Sequence, residues 1–397
     1  MNRIWRQLAI ATNWPMLAAV AVLSALGIVS IWADAQADAR SDAVKQLIFL
    51  GIGLTCMGLF QVVNYIEIGR YSWPFYGVSL LLLIYTIAPG VPDHGIGGVP
   101  VIKGARAWID MGLLHLEPAE LMKIAFCMAL ARYLRFRSNY RTIKGLLPPF
   151  ALAVAPALLI LKQPALGMAT LFLPTLFVML FVAGAKVKHL LFVVFLGLAL
   201  LPVLWVLGKN DRKVGHVPAL MKPYQWVRIR SLLSGDPHDL QDAGFQQEQA
   251  MTAIGSGGPF GRGLGKLVVG QHVPEAHNDM IFAIIGEQFG FVGSAVVLGA
   301  YLVLFAAGIE VGGSTREPYG RLVAVGIVSI LAGQVFINLM VVMRMFPVTG
   351  ITLPFVSYGG SSLLASFMAI GLLLNIGQHR PLIMAKDSFE FERTTED

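Results

Sequence analysis

This sequence predicts an all-α polytopic membrane protein of about ten transmembrane helices, with one long extracytoplasmic loop between helices 7 and 8. Three observations carry that prediction. Of the 397 residues, 56% are hydrophobic and only 13% charged, with a mean hydropathy of +0.68; a soluble domain needs far more charge to cover its surface. Apolar runs of membrane-spanning length recur along the chain between short polar turns. A single long hydrophilic segment, residues 208–278, interrupts them. We read residues 1–379 as one transmembrane domain, and residues 380–397 as a polar, disordered cytoplasmic tail.

The elements follow in order. A short basic start with Arg3 and Arg6 precedes a first apolar span at 15–33, which is long enough to be an uncleaved helix rather than a cleaved leader. Spans two and three are expected at 47–63 and 73–89, followed by a loop rich in Gly and Pro. Span four, 117–134, opens with Glu117, Glu120 and Lys123 at helical spacing, and a basic stretch, 132–144, follows it. Spans five, six and seven are expected at 147–161, 168–183 and 190–207. Span eight, 279–309, is longer than a bilayer needs, so it should tilt or kink. Spans nine and ten are expected at 321–345 and 361–376. No repeat of fixed period is present.

Ten spans place both termini on one side, and the basic residues of the short loops choose the side. With the N-terminus cytoplasmic, the inner loops hold Arg70, Arg132, Arg135, Arg137, Arg141, Lys144, Lys186, Lys188, Arg316 and Arg321. The outer ones hold only Arg40, Lys45, Lys103, Arg106, Lys162 and Arg344. Residues 208–278 are then external. The formal net charge of +7 fits loop topology and contact with anionic membrane lipid rather than nucleic acid.

The chain is organised around residues 271–290, QHVPEAHNDMIFAIIGEQFG, where a polar loop meets an apolar helix. Pro274 favours a helix start. Glu275, His277, Asn278 and Asp279 crowd the helix mouth, and Glu287 lies eight residues past Asp279, roughly 12 Å further along a helix. An ionisable group at such depth is costly unless it is used or faces a partner inside the bundle. Lys103 and Arg106, Glu120 and Lys123, Arg228, Arg230 and Arg262 of the long loop, and Ser357 of the SYGGSS run fall on the same external side. Cations and carboxylates converging at one membrane face suit an anionic, lipid-linked substrate. For Glu120 and Lys123, three residues apart on one helix face, an internal ion pair is an equal alternative.

Other chemistries are excluded by pattern. The run GSGGPFGRGLGK departs from the phosphate-loop pattern, because Leu267 follows Gly265-Lys266. No His/Cys spacing suggests zinc, and no G-x-S-x-G motif is present. Cys56 and Cys127 both lie in apolar segments, which argues against a disulfide framework.

The chain resembles the SEDS family (shape, elongation, division and sporulation), of the RodA and FtsW type. The resemblance spans nearly the whole chain through KGARAWIDMG (103–112), LEPAELMKIA (116–125), YQWVRI (224–229), AIGSGGPFGRGLG (253–265), VPEAHNDMIFAIIGEQFGFVG (273–293) and PVTGITLPFVSYGGSS (347–362). It implies a ten-helix peptidoglycan polymerase of the bacterial inner membrane that uses lipid II and the nascent glycan strand, with a class B penicillin-binding protein as partner. It also implies that Asp279 is essential, and it maps family motif positions onto Glu275, Glu120 and Lys123. The short N-terminal start points to the RodA-like, elongation-type branch. Four positions depart from the family pattern: Ala107 for Arg before Trp108, Glu117-Pro118-Ala119-Glu120 for Q-P-S-E, Ala165 for the Asp of Q-P-D-x-G, and Arg344 for Gly.

Joining an α-linked lipid pyrophosphate into a β-1,4 glycan inverts the anomeric carbon, so one general base on the acceptor hydroxyl suffices. Asp279 is the candidate. Lys123, Arg228, Arg230 and Arg262 could stabilise the departing pyrophosphate. Mg²⁺ or Mn²⁺ could share that task, although no carboxylate cluster dictates a metal site. The alternatives are a lipid II flippase, an inactive scaffold for the penicillin-binding protein and, within the polymerase reading, an FtsW-like role in division.

Overall fold

Apolar composition fixes the frame, and buried polar side chains fix how its pieces join. The computed structural model describes residues 13–33, 39–102, 105–112, 115–208, 243–274 and 276–379. The termini, residues 209–242 of the long segment, and the candidates Lys103, Arg228, Arg230 and Glu275 lie outside the described residues.

The helices in chain order are α1 (Trp14–Trp32), α2 (Ala39–Val62), the short α3 (Tyr65–Arg70), α4 (Ser72–Ile87), α5 (Pro118–Phe136), α6 (Leu147–Lys162), α7 (Leu166–Thr170), α8 (Phe172–Val182), α9 (Val187–Gly208), α10 (Ala243–Ser256), α11 (Ile281–Ser314), α12 (Pro318–Val342) and α13 (Gly360–Gln378). A two-stranded antiparallel hairpin, β1 (Ile109–Asp110) with β2 (His115–Leu116), pairs Ile109 with Leu116 and leads into α5. Among the described residues, six helical stretches are long and apolar enough to cross a membrane, and three further apolar ones are shorter.

Local chemistry explains the boundaries. Asn13 caps α1 through its side chain, with Pro15 in the first turn. The expected sixth span is split into α7 and α8, because Pro174 has no N–H to offer the Thr170 carbonyl. The break between α2 and α3 is closed by a single residue of α13. Asn375 accepts the Tyr65 amide at 2.9 Å and donates to the carbonyls of Phe60 and Val63. It is fully buried, and all of these backbone groups would otherwise lack partners in an apolar setting.

Two expectations need correction. The helix that follows Pro274 begins only at Ile281, after a 3₁₀ turn at Gly270–His272 and turns through residue 280. The long polar segment, read as loop, contains the helix α10. The expected kink in span eight is present at Gly290 (φ 65°, ψ −156°) inside α11.

That kink organises the glycine-rich run. The broken helix frees carbonyls and amides, and the run takes them up. Arg262 and Gly263 donate to the carbonyls of Glu287 and Gln288 at 2.9 and 3.1 Å, while Phe291 and Val292 donate to those of Gly258 and Pro259 at 2.9 and 3.1 Å. The approach is backbone to backbone. A Cβ on Gly261 would stand 2.1 Å from the Gln288 oxygen, and one on Gly290 2.3 Å from the Gly261 nitrogen. Both glycines also take positive φ, which side chains disfavour. The run is therefore a backbone patch over a helix break.

Candidate active site

The side chains that could do chemistry gather where α5, α12 and α13 meet the loop before α11. Residues 349–359 form the floor. Gln46 of α2 donates to the Ser357 carbonyl at 2.9 Å and accepts the Gly359 amide at 3.4 Å. The Tyr358 amide donates to the His277 carbonyl at 2.9 Å, tying this floor to the loop that carries Asp279. Ser361, in the first turn of α13, donates to the His115 carbonyl at 2.6 Å and accepts the Glu117 amide at 3.0 Å. So the SYGGSS run joins α2, the α11 loop and the entrance of α5. The Ser357 hydroxyl is buried and accepts the Leu353 amide at 2.7 Å, which closes the turn itself.

Two buried amides on α12 connect this floor to the charged residues. Gln334 and Asn338 are four residues apart, on one helix face, with Cβ atoms about 5–6 Å apart. Gln334 accepts from Lys123 Nζ at 2.6 Å and donates to the Thr352 carbonyl at 2.9 Å. Thr352 in turn shares a 2.7 Å hydrogen bond with Ser362. Asn338 donates to the carbonyls of Asp279 and Ile351, both at 2.7 Å. One turn of α12 thus holds the Lys123 ammonium and the Asp279 backbone in fixed relation. Asp279 is buried to 6% exposure in the turn before α11.

Lys123 and Glu120 form an ion pair at 2.8 Å with side chains 5% and 1% exposed. Two of the three ammonium donors are thereby engaged. Glu117 joins the same cluster from the residue before α5. Half-buried, it accepts a hydrogen bond from the Trp108 side chain and lies within electrostatic reach of Glu120 and Lys123. A divalent cation finds no ready donor set: Lys123 already occupies the cation position beside Glu120, and no group of three or more metal-ligating side chains exists among the described residues.

The other sequence candidates sit elsewhere. Arg106 donates to the Val91 carbonyl at 2.8 Å and pairs with Asp93 at 3.2 Å, within its own loop. Arg262 lies on the glycine-rich run, 3.6 Å from the Glu287 carboxylate, with its side chain 40% exposed. Glu287, fully buried, accepts the amides of Val268, Val269 and Gly270 at 2.8, 3.0 and 2.6 Å. The partner it faces is therefore the backbone just ahead of the Asp279 turn. An apolar pocket of about 580 Å³, lined by residues such as Tyr301, Phe305 and Phe336, opens between α11 and α12. It lies on the face of α12 away from Gln334 and Asn338 and offers no polar chemistry.

The departures from the family pattern have local readings. Ala165 stands at the N-cap of α7 without a side-chain cap bond, where an Asp would supply one. Arg344 takes the left-handed conformation (φ 57°), which explains a glycine there and costs about 1–2 kcal/mol for a side chain.

Comparisons with known proteins agree with this architecture. The family model described as "Cell cycle protein", FTSW_RODA_SPOVE, matches residues 5–381. Stage V sporulation protein E of Bacillus subtilis (strain 168) is 37% identical over 354 residues, covering 88% of this chain and 91% of that protein. The probable peptidoglycan glycosyltransferase FtsW of Trichlorobacter lovleyi is 33% identical over 377 residues, covering 91% and 92%. Among solved structures, the rod shape determining protein RodA of Thermus thermophilus is similar with a TM-score of 0.66 at 29% identity, covering 93% of this chain and 98% of that one. A chain from a peptidoglycan synthase complex, described as coordinating polymerization and crosslinking, is similar with a TM-score of 0.78 at 31% identity, covering 94% and 99%.

Proposed function

This chain belongs to the FtsW/RodA/SpoVE family of cell cycle proteins, and from that membership we propose that it is a peptidoglycan glycosyltransferase that polymerises lipid II. The observation that carries the reading is the buried polar chain from Glu120 and Lys123 through Gln334 and Asn338 to Asp279. These polar groups gather at one end of the bundle, the arrangement expected for chemistry at a membrane face. A flippase would need polar groups along the whole path.

In this reading the acceptor 4-hydroxyl attacks the anomeric carbon of the donor as the bond to pyrophosphate breaks. Asp279 takes the hydroxyl proton, and the electron pair leaves on the pyrophosphate oxygen. Lys123, with a donor left after Glu120 and Gln334, stabilises that developing charge, helped by the long loop's Arg228, Arg230 and Arg262. Glu275, Lys103 and Arg106 bind the substrate's periphery. No step requires a divalent cation.

The same reading places both termini in the cytoplasm, the Asp279 face outside, and the chain in the inner membrane. A crosslinking penicillin-binding protein is its partner, supported by the likeness to a chain of a complex that couples polymerization to crosslinking. Elongation is the process expected from the resemblance. The second reading, a division or sporulation role, is favoured by relatives named FtsW and stage V sporulation protein E at 33–37% identity.

The test is purified full-length protein with labelled lipid II. Glycan polymer from the wild type, and none from a folded Asp279→Ala variant, is expected. Polymer from Asp279→Ala at the wild-type rate overturns the assigned base. Lipid translocation without polymer favours the flippase.

A further inference from the structure

The surface of the glycine-rich run has a pattern that the polymerase reading uses only at Arg262. Between residues 260 and 268 the side chains alternate in character: Phe260, Arg262, Leu264, Lys266, Val268, with glycines at 261, 263 and 265. All five are exposed, Phe260 at 82%. Leu267 alone turns inward and is buried. Apolar and basic groups thus stand side by side on the outside of a loop whose inner face is fully committed to α11.

The level of this loop along the bundle is fixed by its neighbours. A Cβ on Gly265 would lie 3.4 Å from the carbonyl oxygen of Ala33, immediately after α1 ends. Gln288, beside the α11 kink, donates to the Ser30 carbonyl in the last turn of α1. Helix α1 qualifies as a membrane span, and its final residue, Trp32, is 51% exposed. An exposed tryptophan at a span's end is the usual marker of the membrane–water boundary. From the same loop, Gly258 and Pro259 bond to Phe291 and Val292 of α11, and Phe291 is 74% exposed on a second membrane-spanning helix. Phe260 and Leu264 therefore extend the apolar surface of α1 and α11 at the height where those helices leave the bilayer.

We propose that residues 258–268 form an interfacial lipid anchor, in which Phe260, Leu264 and Val268 enter the acyl boundary and Lys266 meets anionic headgroups of the leaflet on the Asp279 side. The occupant is bulk phospholipid. Amphipathic segments with basic and aromatic side chains settle at this depth, where burial of apolar groups and attraction to anionic lipid act together. Nothing in the inner face has to change for this to happen, since the backbone there is held by the α11 kink and by Glu287. The consequence is positional. The Asp279 turn begins just after the Glu287-bound amides of residues 268–270, so anchoring the loop sets the depth of that turn relative to the headgroups.

Photo-crosslinking in native membranes tests this with the full chain. p-Benzoylphenylalanine is placed in turn at Phe260, at Leu264 and, as an aqueous control, at His94, an exposed loop residue. Adducts are identified by mass. Phospholipid adducts at positions 260 and 264, at least fivefold above position 94, are expected. In membranes with mixed headgroups, Lys266→Glu should lower the ratio of anionic to zwitterionic adducts at position 264 at least twofold. Three results overturn the proposal. A polypeptide adduct at 260 would make the patch a protein interface, and an adduct of the mass of a prenyl pyrophosphate-linked sugar would make it part of the substrate path. Absence of lipid adduct at 260, while the same probe at Phe291 gives one, would place the loop in water.

Discussion

The side-chain amide of Asn338 donates to the backbone carbonyl of Asp279 and to that of Ile351, each at 2.7 Å. Neither carbonyl belongs to a regular helix, so no backbone N–H stands ready to replace the asparagine. Truncation leaves two buried acceptors unsatisfied, at a cost of about 1–3 kcal/mol each. We expect Asn338→Ala to lower the melting temperature and to cut polymerisation well beyond the loss of folded protein, because the Asp279 turn is released. Asn338→Asp tests the donor specifically: it keeps the size and offers no amide. Turnover per folded molecule is the measurement, and a normal value in both variants would remove Asn338 from the positioning of Asp279.

The Lys123–Glu120 pair separates structure from function. Breaking a buried ion pair by removing one partner costs about 3–5 kcal/mol, whereas replacing both partners with uncharged groups of similar size can be neutral. Lys123→Ala should therefore melt early. The double variant Glu120→Gln with Lys123→Met should recover much of that stability. If Lys123 serves the leaving pyrophosphate, the double variant stays inactive despite being folded. Turnover returning with stability would make the pair structural only, and the cationic role would pass to Arg228, Arg230 and Arg262.

Much of this was legible in the sequence, and the exceptions share a cause. Long apolar runs set most of the helices within a few residues of their observed ends, because burial in lipid depends on composition more than on neighbours. Helix α10 escaped because its inward face carries Gln246 and Gln247, which bond to the carbonyls of Pro274, Val341 and Phe346, so it shows no apolar stripe to read. Gln334 and Asn338 also escaped. The available signal was two amides four residues apart in an otherwise apolar helix, a spacing that puts both on one face. Pro274 is followed by turns rather than a helix, where the carbonyls of His277 and Asp279 are taken by the Tyr358 amide and the Asn338 side chain, partners far away in sequence.

Glu287 supports the last prediction. Three backbone amides, those of Val268, Val269 and Gly270, converge on one buried carboxylate. Glu287→Gln keeps the volume but turns one acceptor oxygen into a donor, so at least one amide faces a donor instead of an oxygen. Leaving such a group unsatisfied costs about 1–3 kcal/mol. The cost should be local, since the kink hydrogen bonds at residues 258–263 do not involve the side chain. Opening of the 262–270 segment then becomes more frequent, and cleavage there follows the population of the open form. Arg262 and Lys266 are exposed trypsin sites within that segment. We expect Glu287→Gln in a membrane mimetic to be cut at these residues several-fold faster than wild type, with little change in cutting elsewhere, and to polymerise more slowly because the Asp279 turn loses its upstream support. Unchanged cleavage at both sites would mean that the kink contacts hold the run without the carboxylate.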